Sequence, residues 1–195
     1  MSTLEINIDT ATTKWKAAFP KQRKKIEQAA ALAYLLAKKP AALKGQDVSM
    51  TLTLTGNAAI KKLNRDYRAK DMATNVLSFP QIAMPTPGRA AKARGKHKQA
   101  AALKKSDLRI FSQRTLPLGD VVLAFETIKK EAKEQKKTLE SHTLHLVIHG
   151  VLHLLGYDHM SDAEAKHMES LECDILAMMG YPDPYHVPRD SKKAG

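Results

Sequence analysis

The residues best placed to do chemistry are histidines in the run His149-Gly150-Val151-Leu152-His153-Leu154-Leu155-Gly156-Tyr157-Asp158-His159. Residues four apart on a helix share a face, so His149 and His153 can aim both imidazoles at one point. Gly156 can take the left-handed conformation that ends a helix and reverses the chain. Such a turn swings His159 back toward the pair. Three neutral imidazoles around a divalent ion leave its charge intact and a fourth position open, the arrangement of a catalytic zinc site rather than a closed structural one. Pair spacing alone does not choose the ligands, because His145 and His149 are also four apart and His142 lies one turn earlier. Only His149 and His153 are followed by a glycine turn and a third histidine at the right distance. The pattern predicts one zinc ion per chain, held by His149, His153 and His159; His97 and His186 read as solvated.

The spacing is that of the metzincin proteases, H-E-x-x-H-x-x-G-x-x-H, but the second position here is Gly150. The absent Glu is the general base of peptide hydrolysis, so a protease reading loses its central part. Glycine inside a helix costs about 1 kcal/mol against alanine, so something should require it. The missing side chain reads as room beside the metal for a bulky group such as a phosphodiester, with close helix packing as the plainer alternative.

The elements that must position these residues follow from periodicity. Leu4, Ile6 and Ile8 alternate with polar residues, as do Val48, Met50, Leu52 and Leu54, and both runs predict half-buried strands. Val76–Phe79 and Val121–Phe125 predict two more. Helices are expected over about residues 21–38, with Ile26, Ala29, Ala30, Ala33, Leu36 and Ala37 facing inward, and from Asn57, a candidate cap, to about Tyr67. A long helical stretch over 126–155 should break near 136–139. Ser161 and Glu164 have capping-box spacing and start a last helix that buries Met168, Leu171, Ile175 and Met178. The sum is an α+β fold: a single domain over residues 1–180, with a small mixed sheet of about four strands, about five helices and a zincin-like metal helix. Residues 181–195 read as a loose tail.

Charge narrows the partners. Lys and Arg number 32 against 20 Asp and Glu, a formal net charge of +12. Between Gly88 and Arg114 stand nine basic residues and one acid, inside a segment (81–117) too poor in large apolar residues to order itself firmly. This insertion reads as a basic arm whose Arg89, Arg94, Lys96 and Lys98 contact RNA phosphates, or more plainly as a solvated insertion. One cysteine, Cys173, excludes an internal disulfide framework and a Cys-rich zinc module. The N-terminal residues lack the pattern of a secretory signal, and no apolar run reaches the ~18 residues of a membrane span. A cytoplasmic protein with no membrane partner is expected. No carboxylate cluster suits two magnesium ions. With aromatic residues at 5%, base stacking is not expected to carry recognition.

The histidine run resembles the signature H-G-x-L-H-L-x-G-Y-D-H of the YbeY family, bacterial ribosomal RNA maturation factors. Leu63-Asn64-Arg65-Asp66-Tyr67-Arg68 resembles that family's L-N-x-x-Y-R, Thr74–Pro80 its T-D-V-L-S-F-P, and Leu118–Val122 its L-G-D-I-x-I. The blocks occur in the family's order and span the chain from about Leu4 to Gly180, apart from the arm. The resemblance implies a single-strand-specific, metal-dependent endoribonuclease of the cytoplasm. Its implied tasks are 3′-end maturation of 16S ribosomal RNA and quality control of the small subunit. The implied partners are ribosomal RNA, the small ribosomal subunit and its assembly factors. By position, His149, His153 and His159 take the zinc-ligand role and Arg68 that of the functional arginine, read as a clamp on the scissile phosphate. Asp158 either orients a ligand histidine or only caps a turn. Two features depart from the family: Asn75 stands where Asp is common, and the connection over about 81–115 is longer and more basic. The alternatives are a metallohydrolase of peptides or small molecules, and a non-catalytic ribosome-assembly factor braced by zinc.

Overall fold

Alternating and continuous apolar runs pair into one sheet. The computed structural model describes residues 3–82 and 115–186. Strands β1 (Leu4–Thr10), β2 (Val48–Thr55), β3 (Val76–Pro80) and β4 (Leu116–Ala124) lie in the order β1-β2-β4-β3. The first, second and fourth run parallel, and β3 is antiparallel to β4. This is the expected mixed four-stranded sheet. Leu116 and Pro117, assigned from the sequence to the insertion, already belong to β4, whereas Phe125 opens a helix instead of closing the strand.

Among the described residues there are six α-helices, one more than expected: α1 (Thr13–Ala18), α2 (Gln22–Leu36), α3 (Asn57–Arg68), α4 (Phe125–Glu134), α5 (Leu139–Leu154) and α6 (Asp162–Met178). The addition is α1, whose six residues are too few to show a helical period. Trp15 anchors it, fully buried, with its indole Nε1 donating to the Thr55 carbonyl at 2.9 Å. The expected break falls between α4 and α5, where Lys136 has φ +55°. Asn57 does not cap its own helix. Its Oδ1 accepts from Thr127 at the start of α4, while Glu126 of α4 accepts from the Asn57 amide, so the two helix starts cap each other.

The sheet is covered unequally. Helices α2, α5 and α6 pack on one face, where Ile26, Leu52, Val121, Ile148, Leu152 and Ile175 share the main core. On the other face α3 covers only the β3–β4 side through Ile60, Leu77, Val122 and Ala124. Successive strand residues point to opposite faces, so β4, apolar in a continuous run, is the strand buried on both sides.

Two inward assignments differ from the expectation. Leu36 and Met178 are exposed, and the inward face of α6 uses Glu172 and Leu176. Met168, Glu172, Ile175 and Leu176 are spaced three and four residues apart and share one helical face, which brings residue 172 inward. Residues 181–186, read as the start of a loose tail, are tied to the helices. Tyr181 hydrogen-bonds Glu140, Tyr185 donates to Glu172, and Lys137 donates to the Pro184 carbonyl. Residues 187–195 and the arm, with Arg89, Arg94, Lys96 and Lys98, lie outside the described residues. Among those described, no helix is long and apolar enough to cross a membrane.

Candidate metal centre

Helix α5 starts from Thr138, whose side chain accepts from the Ser141 amide, and presses its length against the sheet. Its register is fixed at Gly150. A Cβ there would stand 2.5 Å from Val121 Cγ1 and 3.2 Å from Ser78 Oγ, so the helix approaches β4 more closely than any side chain permits. The vacancy thus faces the sheet and not the histidines, because residue 150 lies ~100° around the helix from His149. This corrects the reading of Gly150 as room for substrate: close packing requires it.

With that face committed to the sheet, His149 and His153 emerge together on another. Their rings sit with centroids 4.5 Å apart and their Nε2 atoms at 3.1 Å. Gly156, at φ +91°, ends the helix in the left-handed conformation as expected, and the chain returns to bring His159 beside both. One ligand nitrogen from each of the three lies within 4.8 Å of the others.

The remaining ring nitrogens settle what these histidines can do. His149 Nδ1 is 2.9 Å from Glu172 Oε1, and His153 Nδ1 is 3.0 Å from the Tyr157 carbonyl. Both partners accept hydrogen bonds, so both Nδ1 atoms carry protons, and in the neutral rings both Nε2 atoms carry lone pairs. Two lone pairs facing each other at this distance repel unless a cation lies between them. Donors ~2.0–2.1 Å from a tetrahedral ion stand roughly 3.3 Å apart, close to the spacing observed. The donor set therefore fits a divalent metal. Burial, with His149 and His159 nearby, lowers the His153 pKa to about 4, keeping that ring neutral and able to ligate.

Glu172 was not singled out from the sequence. It is 0% exposed. Besides His149 it accepts from His145 Nε2 at 2.9 Å and from the Tyr185 hydroxyl. Burial alone would raise its pKa, but the hydrogen bonds from His145 and His149 outweigh that and hold it down at about 2. A polar residue recurring inside the apolar stripe of α6 was its one signal in the sequence. Asp158 turns elsewhere: its carboxylate accepts from the backbone amide of His159 at 2.9 Å, holding the turn rather than an imidazole.

Arg68 occupies the exposed last turn of α3, on the face of the sheet opposite α5. It makes no hydrogen bond to the three histidines. Asn75 uses the group that distinguishes it from Asp, donating from Nδ2 to Glu131 Oε2 at 3.0 Å. An Asp there would set two carboxylates against each other.

Comparison with known proteins finds relatives of this chain. The family profile described as "Endoribonuclease YbeY" matches residues 7–180. A protein of Paramagnetospirillum magneticum named Endoribonuclease YbeY is 41% identical over 183 residues, covering 94% of this chain and 96% of that protein. One of the same name from Pseudomonas putida is 46% identical over 140 residues, 71% of this chain and 73% of its own. The solution structure of TM1509 from Thermotoga maritima aligns with a TM-score of 0.47 at 20% identity, over 93% of this chain and 99% of that one.

Proposed function

The chain belongs to the YbeY endoribonuclease family, and from that premise we propose that it is a zinc-dependent enzyme cutting single-stranded ribosomal RNA. The observation that carries the metal assignment is the pair of Nε2 lone pairs of His149 and His153 facing each other at 3.1 Å, with both Nδ1 atoms engaged. His159 supplies the third donor. Bound there, zinc would polarise a phosphoryl oxygen and acidify a water. The chain's own part is to aim three imidazoles at one point, and Glu172 and the Tyr157 carbonyl orient two of them, His149 and His153, from behind. Arg68 offers paired donors matched to a phosphate and neutralises charge on the RNA backbone. Residues Arg89, Arg94, Lys96 and Lys98 of the basic insertion add phosphate contacts without sequence choice. The physiological setting is ribosomal RNA processing in the cytoplasm, including maturation of the 16S 3′ end, with the small subunit and its assembly factors as partners.

Peptide hydrolysis is disfavoured by the same geometry, since position 150, where a metzincin carries its base, is a glycine packed on Val121. A panel of His153→Ala, Arg68→Ala and a deletion of residues 89–105 tests the proposal against single-stranded RNA. His153→Ala should lose bound zinc by elemental analysis and lower cleavage by at least ~100-fold. Arg68→Ala should keep zinc but lose cleavage, and the deletion should flatten the salt dependence of binding. Full cleavage by metal-free protein would refute the zinc assignment.

A further inference from the structure

Tyr67 is 68% exposed, yet it is held in place. Its ring meets Phe79 with centroids 5.2 Å apart at an interplanar angle of 65°, and Phe79 packs on the small core beneath α3. Beside it, buried Asn64 fixes the turn after α3, donating from Nδ2 to the Met72 carbonyl at 2.8 Å and accepting from the Lys70 amide at 3.2 Å. That turn leaves Met72 exposed.

The charges around this ring are sorted. Lys61 and Arg65 of α3 are paired with Asp71 and Asp66, at 3.3 and 3.1 Å. Arg68, next after Tyr67 in the chain, and Lys70, three residues after it, have no ion pair among the described residues. The result is an exposed aromatic ring followed closely in the chain by two cations that have no ion pair.

Chain neighbours and one hydrogen bond link this face to the histidine helix. Phe79 adjoins Ser78, whose Oγ donates to the Gly150 carbonyl at 3.2 Å, and Gly150 adjoins His149. Strand β3 is the edge of the sheet, with Tyr67 and Phe79 on one face and α5 on the other. A flexible strand passing round that edge would meet both.

We propose that Tyr67 is the stacking platform for an unpaired nucleobase of the RNA substrate, with Arg68 and Lys70 on the adjoining phosphates. The proposal rests on the endoribonuclease reading above. Every base has a π-face, so such a platform tolerates any sequence. A base inside a duplex has both faces covered, so the same platform favours single strands.

Steady-state cleavage of a single-stranded oligouridylate tests it, with inorganic polyphosphate as a competitor that carries charge but no base. Tyr67→Ala should raise KM about ten-fold, Tyr67→Phe should restore it, and the inhibition constant of polyphosphate should not move. Zinc content and melting temperature should match the wild type, because most of the ring lies in solvent. An unchanged KM in Tyr67→Ala overturns the platform while leaving the nuclease intact, and assigns the patch to some other partner. A parallel weakening of polyphosphate overturns it in favour of general electrostatics. Wild-type protein that neither binds nor cuts RNA removes both readings together.

Discussion

His142 and His145 occupy the first half of α5, and His149 and His153 the second. The residue type and the helix are the same, and the spacings, three residues and four, are each about one turn. In the first half the carboxylates face Nε2: His142 donates to Glu131 and His145 to Glu172, each at 2.9 Å. Their Nδ1 atoms are buried without partners among the described residues. In the second half the acceptors lie behind Nδ1, and the Nε2 lone pairs converge. Helical spacing therefore brings imidazoles together in both halves, but a ligand pair forms only where the surroundings occupy the rear nitrogen and leave the forward one free.

Replacing the carboxylate in each half should sharpen this contrast. Glu172→Gln can still accept from His149 or from His145 but not from both. The dissociation constant for zinc, measured by chelator competition, should rise about 10–100-fold. Glu131→Gln, which serves only the first half, should leave it unchanged. Equal effects from the two would erase the distinction.

Within the second half stands Gly150, where the helix meets the sheet most closely. Gly150→Ala should cost about 1–3 kcal/mol through overpacking against Val121, read as a lower denaturation midpoint. Undiminished stability with lost cleavage would instead restore the idea of space beside the metal.

The smallest expected effect is a titration. Burial lowers the His142 pKa below 6.5, against a weaker upward pull from Glu131. Between the ordinary value and the lowered one, the unfolded chain binds more protons at this residue than the folded chain, so stability falls as pH falls. The contribution is complete above about pH 6.5 and is lost on acidification. In zinc-loaded protein, where His153 is occupied, His142→Gln should flatten the decline in melting temperature between about pH 7 and pH 5.

Much of this was legible before folding. Strict alternation announced β1 and β2, the break between α4 and α5 followed from the length of the run, and Ser161 with Glu164 announced the start of α6. Short α1 was hidden because six residues hold less than two helical turns. Glu172 was hidden because an acid in an apolar stripe has no visible partner until another helix supplies one. Asp158 illustrates a choice the sequence left open: it suited either a ring partner or a turn cap, and its carboxylate accepts from the backbone amide of His159.

The sequence alone determined that His149, His153 and His159 could meet, because helical periodicity and a left-handed glycine are local properties of the chain. Tertiary structure alone decided which nitrogen of His149 points forward, why residue 150 must lack a side chain, and that the exposed ring of Tyr67 rests on Phe79. Those outcomes depend on what packs opposite each residue, and the partners come from strands and helices distant in sequence.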